Sequence, residues 1–84
     1  MAKSPRTSAL SIQAHYPLFA RAGTEAAALW LQAAPLSLSD FRDLRLRNLL
    51  AGLGYMDDLH ERTQAFHHAY EQRIAAHIAG VSHG

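Results

Sequence analysis

The sequence predicts an all-α protein, a small bundle of three to four antiparallel helices. Apolar side chains recur at spacings of three and four residues, and no segment shows the alternation that marks a strand. Residues that start or stop helices (serine, aspartate, proline and glycine) separate the apolar segments by short connections. Connections this short join helices that are antiparallel neighbours, which gives a bundle.

The chain has 84 residues, 49% of them apolar, which suits one small domain and exceeds what a disordered chain contains. A net charge of +1 argues against a strongly electrostatic nucleic-acid binder. The absence of cysteine excludes disulfides, thiolate metal sites and cysteine nucleophiles. The apolar runs are too short for a membrane span or a secretory signal. We therefore expect a cytoplasmic protein with a flexible arm at 1–8, one helical domain at 9–80 and a tail at 81–84.

Pro17 indicates where the first long helix begins, because proline suits the first helical position and kinks a helix interior. A short helix or turn would precede it. Gly23 predicts the end of this helix or a bend, and Thr24 is suited to cap the next one. The alanine-rich segment from Thr24 to Ala34 then predicts a helix that Pro35 stops.

The third helix is bounded by serine and glycine. Ser37 or Ser39 caps its start, and Ser37 with Asp40 fits a capping box. The glycines at 52 and 54 stop it at about Leu53.

The last helix starts at Asp57 or Asp58, whose carboxylates suit the positive end of the helix dipole. It runs to about Ala79, with Gly80 as its C-cap. One face carries mostly apolar and aromatic residues at helical spacing: Leu59, Thr63, Phe66, Tyr70, Ile74 and His77.

The third helix carries more leucines than one core-facing stripe needs, and such an excess usually seeks a second chain. We expect Leu46 and Tyr55 to lie outside the monomer core, although four packed helices would also use such residues. The surface predicts docking on a larger protein or on a second copy of the chain. The candidate partner-binding residues are Trp30, Phe41, Arg42, Arg45, Leu46 and Tyr55.

Two alternatives remain open. Arg42, Arg45 and Arg47 lie on one helix and suit phosphate contacts, but the segment from Glu25 to Asp58 has three basic and five acidic residues. A second alternative is a metal-binding helical dimer in which two side chains at i, i+4 spacing share an ion. Its weak candidate ligands are His67 and Glu71.

Sequence motifs of catalysis are absent: the chain has no GxSxG, HExxH or Walker loop. Gly52-Leu53-Gly54 lacks the spacing of a phosphate-binding loop. We predict a protein that is not an enzyme and that needs no cofactor.

The segment Phe19-Ala20-Arg21-Ala22-Gly23-Thr24-Glu25-Ala26-Ala27-Ala28-Leu29-Trp30-Leu31-Gln32-Ala33-Ala34 resembles the helical hairpin of small PerC-like regulators. It is also similar to the AraC-negative-regulator group. Those proteins follow this pattern with an arginine-containing helix, which the arginines at 42, 45 and 47 match. In this chain the arginine-containing helix lacks the tryptophan and cysteine of those proteins. The histidine-rich last helix has no counterpart in them. The resemblance spans residues 19–50 and implies regulation by contact with another protein.

The hypothesis that follows is a small non-enzymatic regulator or inhibitor that docks an amphipathic helical face on a larger protein. Small cysteine-free regulators of bacterial mobile elements have this size, and the hypothesis extends to them by analogy.

Overall fold

A computed structural model describes residues 12–34, 36–54 and 56–83. Within these ranges the regular secondary structure is all helical, which confirms the predicted all-α class. α1 is a helical turn at residues 12–15, and three longer helices follow: α2 (Pro17–Ala33), α3 (Leu38–Ala51) and α4 (Leu59–His83). The predicted arm at residues 1–8 lies outside the described residues.

α2 is one uninterrupted helix, although the sequence predicted an end or a bend at Gly23. Pro17 occupies its first turn, as predicted, and the helix continues to Ala33. Gly23 is buried, and a Cβ added there would collide with the carbonyl oxygen of Phe66 and lie 3.1 Å from its carbonyl carbon. The glycine therefore allows close contact between two helices. The predicted helix end at Gly23, with Thr24 as the cap of a new helix, was wrong.

Two contacts show that α2 and α4 run in the same direction. The Arg62 guanidinium lies 5.7 Å from the centre of the Phe19 ring, and one turn further along both helices Gly23 meets Phe66. Each contact joins residues 43 positions apart, so the register is the same at both points.

α3 runs in the opposite direction to α4. At the start of α3, the carbonyl oxygen of Leu38 accepts a 2.8 Å hydrogen bond from the Tyr70 hydroxyl. Near the end of α3, Leu50 lines the same groove as Leu59, the first residue of α4. The three long helices therefore form an up-down-up bundle, as short connections between successive helices require.

The core lies between α2 and α4 and is closed by α3. Small side chains on α2 and α4 let the two backbones approach, and the rings of Phe66 and Tyr70 lie nearly parallel with 6.4 Å between their centres. Burying these side chains supplies most of the folding free energy. The buried apolar residues are Phe19, Ala26, Ala27, Phe41, Leu46, Ala65, Phe66, Ala69, Tyr70 and Ile74.

The predicted cap of α3 is confirmed. The Ser37 hydroxyl oxygen accepts a 3.2 Å hydrogen bond from the backbone N–H of Asp40, so Ser37 is the N-cap. The helix ends at Ala51. Gly54 follows with φ +74°, a left-handed conformation that favours glycine and turns the chain toward α4.

α4 begins where the sequence predicted and ends later. The carbonyl oxygen of Asp58 accepts a 2.9 Å hydrogen bond from the backbone N–H of Arg62, which opens the helix. The helix passes through Gly80 to His83, which differs from the predicted C-cap at Gly80 and tail at 81–84. A glycine inside a helix costs only about 1 kcal/mol relative to alanine, and this 25-residue helix tolerates it.

Candidate docking surfaces

The structure places two of the predicted docking residues inside the bundle. Phe41 and Leu46 are only 8% and 9% exposed, so the prediction that Leu46 lies outside the core was wrong. α3 packs against both α2 and α4, and its wide apolar arc is used in these two contacts. Leu49 and Leu50, at the edges of the arc, also pack against the core.

Trp30 is partly buried and stabilises the fold. Its indole N–H donates a 2.9 Å hydrogen bond to the carbonyl oxygen of Leu36. The bond ties the last turn of α2 to the connection that leads into α3, as expected for an aromatic residue with one polar atom.

The predicted arginines of α3 differ in their surroundings. Arg42 lies 3.0 Å from the Asp43 carboxylate and 3.6 Å from the Glu71 carboxylate. Arg45 is exposed, and its guanidinium lies 5.9 Å from the centre of the Phe41 ring. Two carboxylates thus offset the charge of Arg42, which reduces the attraction of this face for a phosphate backbone.

The candidate metal ligands face protein groups. Nε2 of His67 lies 4.0 Å from the Asp43 carboxylate, is buried and makes no hydrogen bond, while Glu71 is paired with Arg42. Burial, and secondarily the positive charge of Arg42, lower the pKa of His67. Across the described ranges, no three His, Asp or Glu side chains form a group that could hold a metal ion.

An apolar groove of about 390 Å³ opens where α3 ends and α4 begins. Leu59 on its wall is 45% exposed, and Leu53, in the turn that follows α3, is 44% exposed. Tyr55, a predicted docking residue, belongs to the same connection but lies outside the described residues. We call this feature the loop groove, and its lining residues are Leu50, Gly54, Met56, Asp57, Asp58 and Leu59.

A more polar cleft of about 550 Å³ lies between the start of α2 and the start of α4. Arg62 lies 4.8 Å from the centre of the Tyr16 ring, and its Nε donates a 3.1 Å hydrogen bond to the carbonyl oxygen of Asp57. Burial, and secondarily the negative charge of Asp58, raise the pKa of Tyr16. These polar groups bind one another and fasten the start of α2 to α4.

Comparison of the chain with models of protein families, with curated proteins and with solved structures returned no significant match. Within the part of the chain that the structure describes, no helix is both long enough and apolar enough to cross a bilayer.

Proposed function

We propose that this chain is a small non-enzymatic regulator or inhibitor that docks on a larger protein through the loop groove and modulates that partner's activity. The observation that carries the proposal is the 45% exposure of Leu59, which lines an apolar opening of about 390 Å³. Water in contact with a concave apolar surface is released when an apolar side chain fills it, and this release favours binding.

The charge around the loop groove indicates the chemistry of the partner. Asp57 and Asp58 line the groove, the exposed Glu61 follows on the first turn of α4, and the nearby Arg62 is engaged by the Tyr16 ring and the carbonyl oxygen of Asp57. A complementary segment carries one apolar side chain for the groove and a lysine or arginine beside it. An amphipathic helix with basic residues at its margin fits this description.

The resemblance of residues 19–50 to PerC-like regulators supports regulation by protein contact. The small size and the lack of cysteine extend the proposal, by analogy, to a cytoplasmic regulator of the kind carried by bacterial mobile elements. The loop groove lies outside the resembling segment for most of its length, so the two arguments are independent.

The main alternative is a nucleic-acid-binding regulator that acts through Arg42, Arg45 and Arg47. The pairing of Arg42 with two carboxylates opposes it. The metal-binding dimer lacks support because Glu71, one of its two ligands, is paired with Arg42.

Capture from host lysate by the immobilised, untagged chain tests the proposal, with a nuclease-treated sample in parallel. Two variants are compared with the wild type: Leu59→Asp changes the groove, and Leu29→Asp changes a leucine of similar exposure (41%) on α2. We expect the wild type and Leu29→Asp to retain the same protein after nuclease treatment and Leu59→Asp to lose it. Capture that survives Leu59→Asp, or that nuclease removes, overturns the proposal.

A further inference from the structure

The cleft between the start of α2 and the start of α4 brings together charges of both signs and an apolar wall. We call it the polar cleft. Its volume of about 550 Å³ lies within the ~300–1,000 Å³ range of small-molecule sites. Arg21 and Arg62 supply positive charge, and Asp58 supplies negative charge. The rest of the lining is aromatic or apolar, from His15, Tyr16, Pro17, Leu18 and Phe19.

The Arg62 guanidinium is held in place without an acidic partner. It lies 4.8 Å from the centre of the Tyr16 ring and 5.7 Å from that of the Phe19 ring. Its Nε donates to the carbonyl oxygen of Asp57. In the described part of the chain, no carboxylate forms an ion pair with Arg62. These contacts use the flat face and Nε of the guanidinium, so its two terminal nitrogens can bind a pair of oxygens such as a carboxylate.

Asp58 lines the same cleft but does not pair with Arg62. On a helix, an acidic residue four positions before an arginine normally forms an ion pair with it. Here Asp58 precedes α4 and has a left-handed backbone, with φ +60°, and the pair does not form. Glu61 adds a second, weaker negative charge near Tyr16. A guanidinium and a carboxylate that line one cleft and are not paired with each other can each bind a ligand group of opposite charge.

Arg21 adds a positive charge that is only weakly neutralised. Its Nε lies 3.8 Å from the Glu25 carboxylate, and the two side chains are 77% and 69% exposed. Exposed ion pairs of this kind contribute little free energy, because water screens them. The charge of Arg21 therefore remains available to an anionic group in the polar cleft.

We propose that the polar cleft binds a free α-amino acid with an aromatic side chain. The carboxylate of the ligand suits Arg62, with Arg21 beside it, and the ammonium group suits Asp58. The ring of the ligand suits the wall formed by Tyr16 and Leu18. A purely anionic ligand would face Asp58, and a purely cationic ligand would face both arginines, so the cleft favours a ligand with both charges.

The spacing of the charges favours a free amino acid over a peptide. Asp58 and Arg62 are four residues apart, about one helical turn or ~5.4 Å along the axis. The two charges of the ligand must therefore lie close together. A free amino acid carries both on one carbon atom, whereas a peptide separates them by its full length.

Titration of the full chain with L-phenylalanine, followed by the NMR shifts of backbone amides, tests the inference. Phenylalanine amide lacks the carboxylate, and hydrocinnamate lacks the ammonium group. Asp58→Asn removes one charge, and asparagine tolerates the left-handed backbone. Arg62→Lys keeps the charge and removes the planar fork. The matched controls are Asp40→Asn and Arg45→Lys, at exposed positions of α3, and circular dichroism checks the fold of every variant.

We expect L-phenylalanine to bind with a Kd of about 1 mM or below and to shift the amides of Leu18, Phe19 and Arg62. Both analogues should bind the wild type at least tenfold more weakly, and so should L-phenylalanine to both cleft variants. The α3 controls should bind as the wild type does. Absence of binding, equal affinity for either analogue, or an unchanged Kd in either cleft variant overturns the inference.

Asp58 also lines the loop groove, so the two sites share one residue. The titration contains no partner protein and therefore reports on the polar cleft alone. Its failure leaves docking through the loop groove standing, and loss of the docking proposal leaves the amino-acid site standing.

Discussion

Gly23 faces the backbone of Phe66 with no room for a Cβ between them, so α2 and α4 meet main chain to main chain. The close approach explains why the alanines around this contact, Ala26, Ala27 and Ala65, are fully buried or nearly so. Such a contact gives a small protein a core without many large side chains. The parallel α2–α4 pair therefore positions α3 and, with it, the loop groove.

Replacing Gly23 with alanine should destabilise the protein by about 1–3 kcal/mol, because the new Cβ meets the Phe66 carbonyl group and forces the helices apart. The matched control is Gly80→Ala, where nothing lies within 4 Å of the added Cβ. At that position alanine should stabilise the helix by up to ~1 kcal/mol. Urea unfolding measures both, and equal stability of the two variants would contradict the contact.

The two serines at the start of α3 make a matched pair. Ser37→Ala removes the hydroxyl that accepts from the Asp40 N–H and should cost about 1 kcal/mol. Ser39→Ala, inside the first turn, should change the free energy of unfolding by no more than a few tenths of a kcal/mol. Thermal unfolding measures the stability of both variants. A larger loss of stability for Ser39→Ala than for Ser37→Ala would rule out the observed cap.

Leu46→Ala should destabilise the fold by about 2–5 kcal/mol, because it empties a buried position in the core. Leu53→Ala, at 44% exposed, should have an effect below ~1 kcal/mol. Chemical denaturation compares them. Similar small losses of stability for both variants would indicate that Leu46 lies at the surface, as the sequence predicted.

The pH dependence of stability should include a contribution from His67. Burial, the larger cause, and the Arg42 charge lower the pKa of His67 below its ordinary value of 6.5. The folded chain then binds a proton more weakly than the unfolded chain. This contribution is therefore present above pH 6.5 and is lost as the pH falls through the lowered pKa of the folded state.

Urea midpoints measured between pH 7.5 and pH 5 test this expectation. His67→Gln should lose less stability on acidification than the wild type, while His77→Gln, at an exposed position, should follow the wild type. Identical curves for the wild type and His67→Gln would show that burial of this imidazole has no energetic consequence.

Local chemistry made part of the fold predictable. Pro17 at a helix start and Ser37 with Asp40 act within one turn of sequence, so their residue types alone indicate their roles. Gly23 is different, because a glycine that ends a helix and a glycine that admits a neighbouring backbone look the same in a sequence. Only the position of Phe66 separates the two cases.

The candidate surfaces were less predictable for a related reason. Leu46 was expected at the surface because the leucines of α3 span more than one stripe, but a helix packed against two neighbours uses a wider arc. The loop groove arises only where the end of α3 meets the start of α4, and no spacing in the sequence encodes that meeting. The cation–π contact of Arg62 with Tyr16, 46 positions away, is invisible in the sequence for the same reason.

The affinity of the captured partner for groove variants tests the central claim most directly. Isothermal titration of the purified partner with wild type, Leu59→Asp and Leu29→Asp compares two leucines of similar exposure, only one of which lines the loop groove. Docking through the groove predicts at least a tenfold weaker Kd for Leu59→Asp and an unchanged Kd for Leu29→Asp. Equal affinities for Leu59→Asp and the wild type would show that the partner binds elsewhere and would contradict the proposed function of this surface.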